Sequence, residues 1–507
     1  MKFEYRWCGR VLGILLSVAP TTDVINAQQH ESSEGLFQRA DPNIHGAGTM
    51  SPAAAETGEA GAAGAPIIVD GHSFAGQDAT FAPSGASGAI GRFSYIQITA
   101  GVRIYNRGRT HALIATGTLN ELSGNLSWAS NRSAQIIWDA TTNRFYYAMA
   151  SHTGGPKISF GFSKTPRPTT ISNADWCHYG WSSAFNQMKD DVDTTTLGDN
   201  KDFLLIGYHH RNTTGLGAGI FAVAKPPAGT TCPDAATLKS NSVSALDASD
   251  ADVWAPVPSN QVDDQDVGYV VARNRSLPSN KLWVFTVSKG SDGSPTFGPG
   301  RALTVPSYRA PPAATQPSDN RRLNTGDARP SPAVQAINPA RGTNSFWFTQ
   351  TVKHPTEARS VVRWYEVDPA PLAPVLLRTG VIGNNAPDTF FFNAAISPDR
   401  HKDGATAQFG DSFVIQYNVS SNRILPGIRA ASSFKGDGLK SLRVRNGVFP
   451  YADFSCQDPG AVCKWPTYSS AAPDPRPTSV GSGAVWGTNQ YVGKAKSSAS
   501  WIFAVQP

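Results

Sequence analysis

Charge is scarce in this sequence: only 16% of its 507 residues are Asp, Glu, Lys or Arg. Coiled coils and helical arrays, which need densely charged surfaces, are thereby excluded. Basic blocks are missing too. The 44 Lys and Arg against 38 Asp and Glu give a formal charge of +6 that is spread along the chain, so nucleic-acid binding has no support. No apolar run approaches the ~20 residues that cross a bilayer, and no amphipathic helical period holds for about 12 residues. HExxH, GxSxG and P-loop patterns are absent, which removes the usual metalloprotease, hydrolase-elbow and nucleotide readings. What is abundant is turn chemistry and aromatic bulk, with 47 Gly, 37 Pro and 10% Phe, Trp and Tyr. An all-β globular protein is expected.

The N-terminus reads as an export signal. Lys2, Arg6 and Arg10 precede the apolar run Val11 to Ala19, and Ala27 closes a cleavage stretch (VINA). Residues 1–27 are therefore expected to leave, giving a secreted protein, extracellular or periplasmic, with no transmembrane segment in the mature chain. Of the five cysteines, Cys177, Cys232, Cys456 and Cys463 then remain, an even number suited to an oxidising compartment. Cys456 and Cys463 enclose the turn-bearing run CQDPGAVC, where a disulfide contributes roughly 2–3 kcal/mol in the chain-entropy model. Cys177 with Cys232 is the remaining pair, at about 4 kcal/mol. Zinc is the alternative, but CxxC pairs and finger-like His spacings are lacking.

Residues 28–85 contain the Ala/Gly-rich segment HGAGTMSPAAAETGEAGAAGAP, too poor in apolar bulk to bury, and read as a flexible linker. Pro306 to Pro330 is a second irregular stretch, whose prolines forbid a long strand. From 86 to 507, short β-branched and aromatic runs recur, bounded by Gly, Pro, Asn or Asp. Examples are FSYIQITAGVRIY from Phe93, QIIWDATTNRFYYAMA from Gln135 and DFLLIGYH from Asp202. They pair as hairpins about every 45 to 65 residues, a spacing that suggests a closed β-propeller of about seven blades, with six or eight also fitting. The strand near Ser500 to Val505 is expected to pair with N-terminal sequence and close the ring.

The order of QIIWDATTNRFYYAMAS, WCHYGW, LGDNKDFLLIGYHH, GYVVARN, VVRWYEV, WPTYSSAAPDP and VWGTNQY resembles that of secreted bacterial sialidase-like β-propeller proteins. The resemblance spans nearly all of 86–507 and implies export and a propeller, without one defined reaction. The chain departs from such proteins at Pro466 and Thr467, where they carry a GDY-type run, and at Gly198 to Lys201, where GDNK replaces a DYPK-type run.

Candidate chemistry is thin. Asp boxes are missing; SDGSPTF from Ser291 has its Gly one position early. Glycoside cleavage needs two carboxylates about 5–9 Å apart, and loops at a propeller mouth offer Asp199, Asp202, Asp264, Asp266, Asp327, Asp388 and Asp474. Of these, Asp202, Asp264 and Asp327 are the weak catalytic candidates. An arginine clamp would draw on Arg273, Arg321, Arg322, Arg329 or Arg363. Trp176, Trp181 and Trp254 flank loops and are candidate sugar-stacking platforms, whereas Trp138, Trp283, Trp364 and Trp486 fall inside strands and should pack between blades. His209 and His210 end a strand, point to opposite faces and are read as solvent-facing. No cofactor is expected, although Asp263, Asp264 and Asp266 in VDDQDVGY form the one run where Ca2+ could sit. The favoured function is an extracellular binding or interaction module for a glycan or surface polymer. The rival is a glycoside-active hydrolase of the sialidase-like class, which convergence of three or more ionisable groups in the mouth would favour.

Overall fold

The computed structural model describes residues 65–507 except 80–84, 126–130, 152–156, 183–190, 213–214, 244–245, 249–250, 370–372, 405, 467, 477–481 and 496. The expected signal peptide, and the expected linker as far as residue 64, lie outside the described residues.

The strand runs form seven antiparallel blades in chain order. Blade I is Ser87–Ile90, Ser94–Ile98, Gly101–Asn106 and Leu113–Thr118. Its middle strands split the single run expected from Phe93, because the chain turns at Thr99 and Ala100. Blade II is Asn131–Asp139, Arg144–Ser151, Ile158–Ser163 and Trp176–Trp181. Blade III is Asp191–Asp199, Phe203–Asn212, Gly215–Ala224 and Ser240–Val243. Blade IV starts with Ala251–Gln261, Gly268–Asn274 and Ser279–Lys289 and ends with Arg301–Tyr308. Blade V is Ala333–Asn338, Thr343–Lys353, Ser360–Asp368 and Val375–Ile382. Blade VI is built on Thr389–Pro398, Phe413–Ser421, Gly427–Ser433 and Lys440–Arg445. Blade VII has Ser470–Pro473, Val485–Lys494 and Ser497–Gln506.

A buried apolar cluster fills each junction between consecutive blades, and one more, with Tyr95, Tyr105, Trp486 and Ile502, joins blade VII to blade I. The ring is therefore closed by packing on every side. Trp138, Trp283, Trp364 and Trp486 all lie in these clusters, as their strand positions predict.

Blade VII takes its fourth strand, Ile67–Ala79, from the N-terminal side, paired antiparallel to Ser497–Gln506. The ring closure expected at Ser500 to Val505 is thus present, but the linker expected to run to residue 85 is corrected: the propeller begins by Ile67. Composition hid this strand because it follows directly on the Ala/Gly-rich segment and its apolar residues are interrupted by Asp70, Gly71, His72 and Ser73. Val69 and Phe74 pack against the blade VII–I core, and hydrogen bonds add to that hold. Gln77 N donates to Ser500 Oγ at 2.7 Å and to Gln97 Oε1 at 3.0 Å, so one buried residue ties blade VII to blade I.

All first strands run the same way around the axis, from what we term the upper face to the lower face. The excursion from Pro306 to Pro330 leaves blade IV, packs on blades VI and VII before returning to blade V, and is more ordered than its prolines suggest. It contains Ala314–Gln316 and Asp319–Leu323, and the latter pairs parallel with Val462–Cys463 from the blade VI–VII connection. Leu323, Phe390, Phe392, Tyr451 and Trp465 form the core under this cap. Both expected disulfides are present: Cys456–Cys463 closes the cap loop, and Cys177–Cys232 joins blade II to the loop after Gly215–Ala224 of blade III.

Candidate functional site

The axial channel is lined by first-strand residues such as Ala89, Ile136, Leu197, Val334 and Ala471 and holds about 60 Å3. Sugar-sized pockets start near 300 Å3. The channel has room for a few waters and no saccharide, so any glycan site lies on a face.

On the lower face the carboxylates that sequence suggested as a mouth cluster are separated by structural duties. Asp139, Asp199, Asp263, Asn338, Asp399 and Asp474 end or directly follow the first strands of blades II to VII, a repeat legible in WDAT, LGDN, QVDD, INPA, SPDR and APDP that the ragged strand spacing concealed. Most reach the next blade. Asp199 accepts from Gln261 N at 2.9 Å, Asp263 from Ile337 N at 2.8 Å and Asp399 from Gly483 N at 3.2 Å. Asp474 accepts from Arg107 of blade I and from Trp486 Nε1 at 2.8 Å. Asp202 pairs with Lys289 at 2.9 Å, and Asp264 with Lys402 at 3.0 Å and with the Thr141 hydroxyl. The three carboxylates proposed for Ca2+ are engaged separately, Asp263 by Arg400, Asp264 by Lys402 and Asp266 by Lys201.

Two lower-face carboxylates do have glycosidase-like proximity. Lys225 Nζ donates to Asp139 Oδ2 at 2.9 Å and to Asp199 Oδ2 at 2.8 Å, so the two oxygens are within 5.7 Å (2.9 + 2.8) of each other. Burial pushes the Asp199 carboxyl up to about 7, against the pull of Lys225, while Lys225 and its hydrogen bonds more than offset burial at Asp139 and lower that carboxyl. The side chains are at most 1% exposed, and no substrate can reach them. Proximity here serves blade II–III packing.

Asp399 is similarly enclosed. Burial pushes its carboxyl up to about 7, with Gly410 N and Gly483 N pulling the other way. Its folded-state value therefore exceeds the ordinary 3.8, and the folded chain retains a proton that the unfolded chain releases. On this account stability falls as pH rises from about 4 to about 7, by on the order of 4 kcal/mol at most. Across that window the urea midpoint of the parent should fall relative to that of Asp399→Asn, which has no proton to release there; a constant separation would contradict the assignment.

The upper face presents a different arrangement. Asp327 and Arg329 come from the excursion before blade V, Arg273 and Arg275 from the second-strand end of blade IV, Trp254 from its first strand and His209 from blade III. Arg329 engages Asp327 through two donors, Nε at 2.8 Å and Nη2 at 3.1 Å, and Arg273 Nη2 donates to the same carboxylate at 3.1 Å. Burial would raise the Asp327 carboxyl, but Arg329 and Arg273 more than offset it and hold it well below the usual carboxylate range. Arg273 Nη1 is bonded to the carbonyls of Asn274 and Arg275, so it anchors the cluster. Trp254 stacks on His209 with ring centroids 4.0 Å apart, and the Arg275 guanidinium carbon lies 4.6 Å from the Trp254 ring. Burial, then Arg329, lowers His209 well below the ordinary histidine range. The group is three arginines, one ionised Asp and a neutral His, a net of +2.

Asp327, Trp254, Arg273 and Arg329 are thus brought together, whereas Asp202 and Asp264 sit on the opposite face. Arg275 was missed, although its i+2 spacing from Arg273 in ARNR places both on one side of an extended chain. His209 and His210 are corrected: both are buried, His209 by Trp254 and His210 by the cross-strand Gly217, where a Cβ would fall 2.3 Å from His210 Nε2. That contact explains Gly217 of GLGAG, and Gly219 is explained by Tyr208, 2.4 Å from where its Cβ would fall. Trp176 is 1% exposed in the blade I–II core, and Trp181 stacks on Phe221 at 4.5 Å. Trp176 therefore offers no ligand-stacking face, whereas Trp181 is half-buried with one face taken by Phe221. Asp453, Cys456 and Cys463 are the one metal-like group among the described residues, but both sulfurs belong to the disulfide.

No family model and no curated protein matches the sequence. Among solved structures, the chain is similar to an endo-arabinase from Bacteroides thetaiotaomicron VPI-5482, at 11% identity over 60% of this chain and 94% of that one, with a TM-score of 0.30. It is also similar to a thermostable family-43 glycoside hydrolase, at 10% identity over 65% and 98% of the chains and a TM-score of 0.30. A third is a family-43 β-1,3-galactosidase with galactodeoxynojirimycin, at 11% identity over 61% and 98%, with a TM-score of 0.28. Likenesses this distant leave the reading of the site to its own geometry.

Proposed function

We propose that this chain is an exported, glycan-directed propeller that takes an acidic sugar at its upper face, and that the glycoside-active reading ranks ahead of pure recognition. The observation that supports it is the convergence of Arg273, Arg275, Arg329, Asp327 and His209 beside Trp254. Guanidinium forks suit a sugar carboxylate, and Arg329 and Arg275 are the cations that retain accessible surface. Asp327, ionised throughout the neutral range, is the carboxylate that can stabilise positive charge developing at an anomeric carbon or orient water. His209 is neutral and stacked, so its role is to hold Trp254. The leaving-group proton then comes from solvent, since Asp327 is ionised and His209 is neutral and stacked. Two disulfides, and the absence of a membrane-crossing helix among the described residues, are consistent with export.

The test is product analysis with uronate- and sialate-terminated oligosaccharides. Cleavage is expected, and Asp327→Asn should lower kcat/KM about 100-fold or more, with Arg329→Ala acting mainly on KM. Binding with the ligand recovered intact would return the protein to the recognition reading. Neither binding nor cleavage of any acidic sugar would overturn both.

A further inference from the structure

The lower face holds a concavity of about 380 Å3 between blades VII, I and II, lined by Phe93, Arg107, Arg109, Arg167, Arg476 and His72 among others. We propose that it is a second site, independent of the upper-face cluster, which binds one acidic unit, sulfated or carboxylated, of a glycan. Three separate segments supply the arginines: the loop after Gly101–Asn106 gives Arg107 and Arg109, the loop after Ile158–Ser163 gives Arg167, and the loop after Ser470–Pro473 gives Arg476.

Their charges are unequally compensated. Arg107, with 11% side-chain exposure, meets Asp474 at 2.6 Å, and Asp474 is held by Trp486 Nε1. This fixed pair forms the inner wall. Arg109 meets Asp70 at 3.2 Å, where both side chains are largely exposed and the attraction is weak. Arg167 and Arg476 are exposed and have no carboxylate partner among the described residues. Arg476 is instead aimed by its Nη1 bond to the Arg92 carbonyl at 3.0 Å. Two pairs and two unmatched cations leave +2 facing the cavity.

The cavity also has what a saccharide needs beyond charge. Phe93, 43% exposed, offers a flat apolar surface for the C–H face of a sugar ring. His72, whose Nδ1 lies 3.1 Å from His111 Nε2, and Asn106 add neutral polar groups. A volume of this size exceeds the lower limit of small-ligand pockets and suits one or two sugar units. Arginines on three loops around an apolar platform match an oxyanion carried on a ring, because each fork engages two oxygens of a carboxylate or sulfate.

The test uses the full chain carrying Arg275→Ala and Arg329→Ala, so that the upper cluster is disabled and failure there is separable from failure here. Calorimetry with a heparin-derived sulfated oligosaccharide, an oligogalacturonate and a neutral cello-oligosaccharide reads the site. One or both acidic ligands should bind and the neutral one should not, the responding ligand naming the oxyanion. Adding Arg167→Ala and Arg476→Ala should weaken binding at least tenfold, and Phe93→Ser at least threefold. All three positions are exposed, so folding is preserved and the melting temperature confirms it. Absence of acidic-ligand binding in the Arg275→Ala/Arg329→Ala chain, or unchanged affinity after removal of Arg167 and Arg476, overturns the proposal.

Discussion

Replacing Lys225 by Met is expected to cost about 3–5 kcal/mol of folding stability at neutral pH, the scale for removing one partner of a buried charge pair. Lys225 is the cation shared by Asp139 and Asp199, all three side chains being at most 1% exposed. Burial lowers its affinity for a proton, but Asp139 and Asp199 raise it further, so the ammonium persists at any physiological pH. In the variant, Asp139 and Asp199 face each other without a counterion. Their folded-state values then rise above those of the unfolded chain, and the deficit grows as pH rises through and beyond the carboxylate range. Denaturation at pH 5 and pH 8 should show the larger loss at pH 8. Adding Asp139→Asn and Asp199→Asn should recover much of it, since the amide oxygens can still accept from Thr141 N and Gln261 N. A single variant as stable as the parent at pH 8 would remove the triad from the account of blade II–III packing.

The second large effect concerns the ring closure. A chain beginning at residue 86, where composition alone places the start of the propeller, lacks Ile67–Ala79 and should fail to fold cooperatively, or melt at least 10 °C below a chain beginning at residue 65. Without this strand, Ser497–Gln506 becomes an unpaired edge, prone to association. Ser500 Oγ and Gln97 lose the Gln77 backbone, and each buried polar group left unmatched costs roughly 1–3 kcal/mol. Tyr105 and His111 lose Phe74, which stacks on His111 at 3.9 Å. Thermal melts of the two chains decide it: equal midpoints would show that packing at the blade VII–I junction closes the ring unaided.

These two sites mark where sequence reading stops. Runs such as QIIWDATTNRFYYAMA determine hairpins by themselves, because β-branched and aromatic alternation with turn residues is a local code. Repetition of that code indicated an all-β ring of about seven units, and cysteine spacing suggested the two pairs that the structure contains. Ile67–Ala79 was illegible because the partners that hold it lie some 400 residues away, such as Ser500 and Trp501, and no local pattern announces them. The candidate sites followed the same division. Sequence supplied Asp327, Trp254, Arg273 and Arg329 as types with suitable chemistry, but Asp202 and Asp264 were equally suitable by type. Only the direction of the first strands around the axis decided that Asp327 joins the arginines above while Asp202 and Asp264 pair with lysines below. Charge convergence across blades is a property of ring geometry, and no local pattern encodes it.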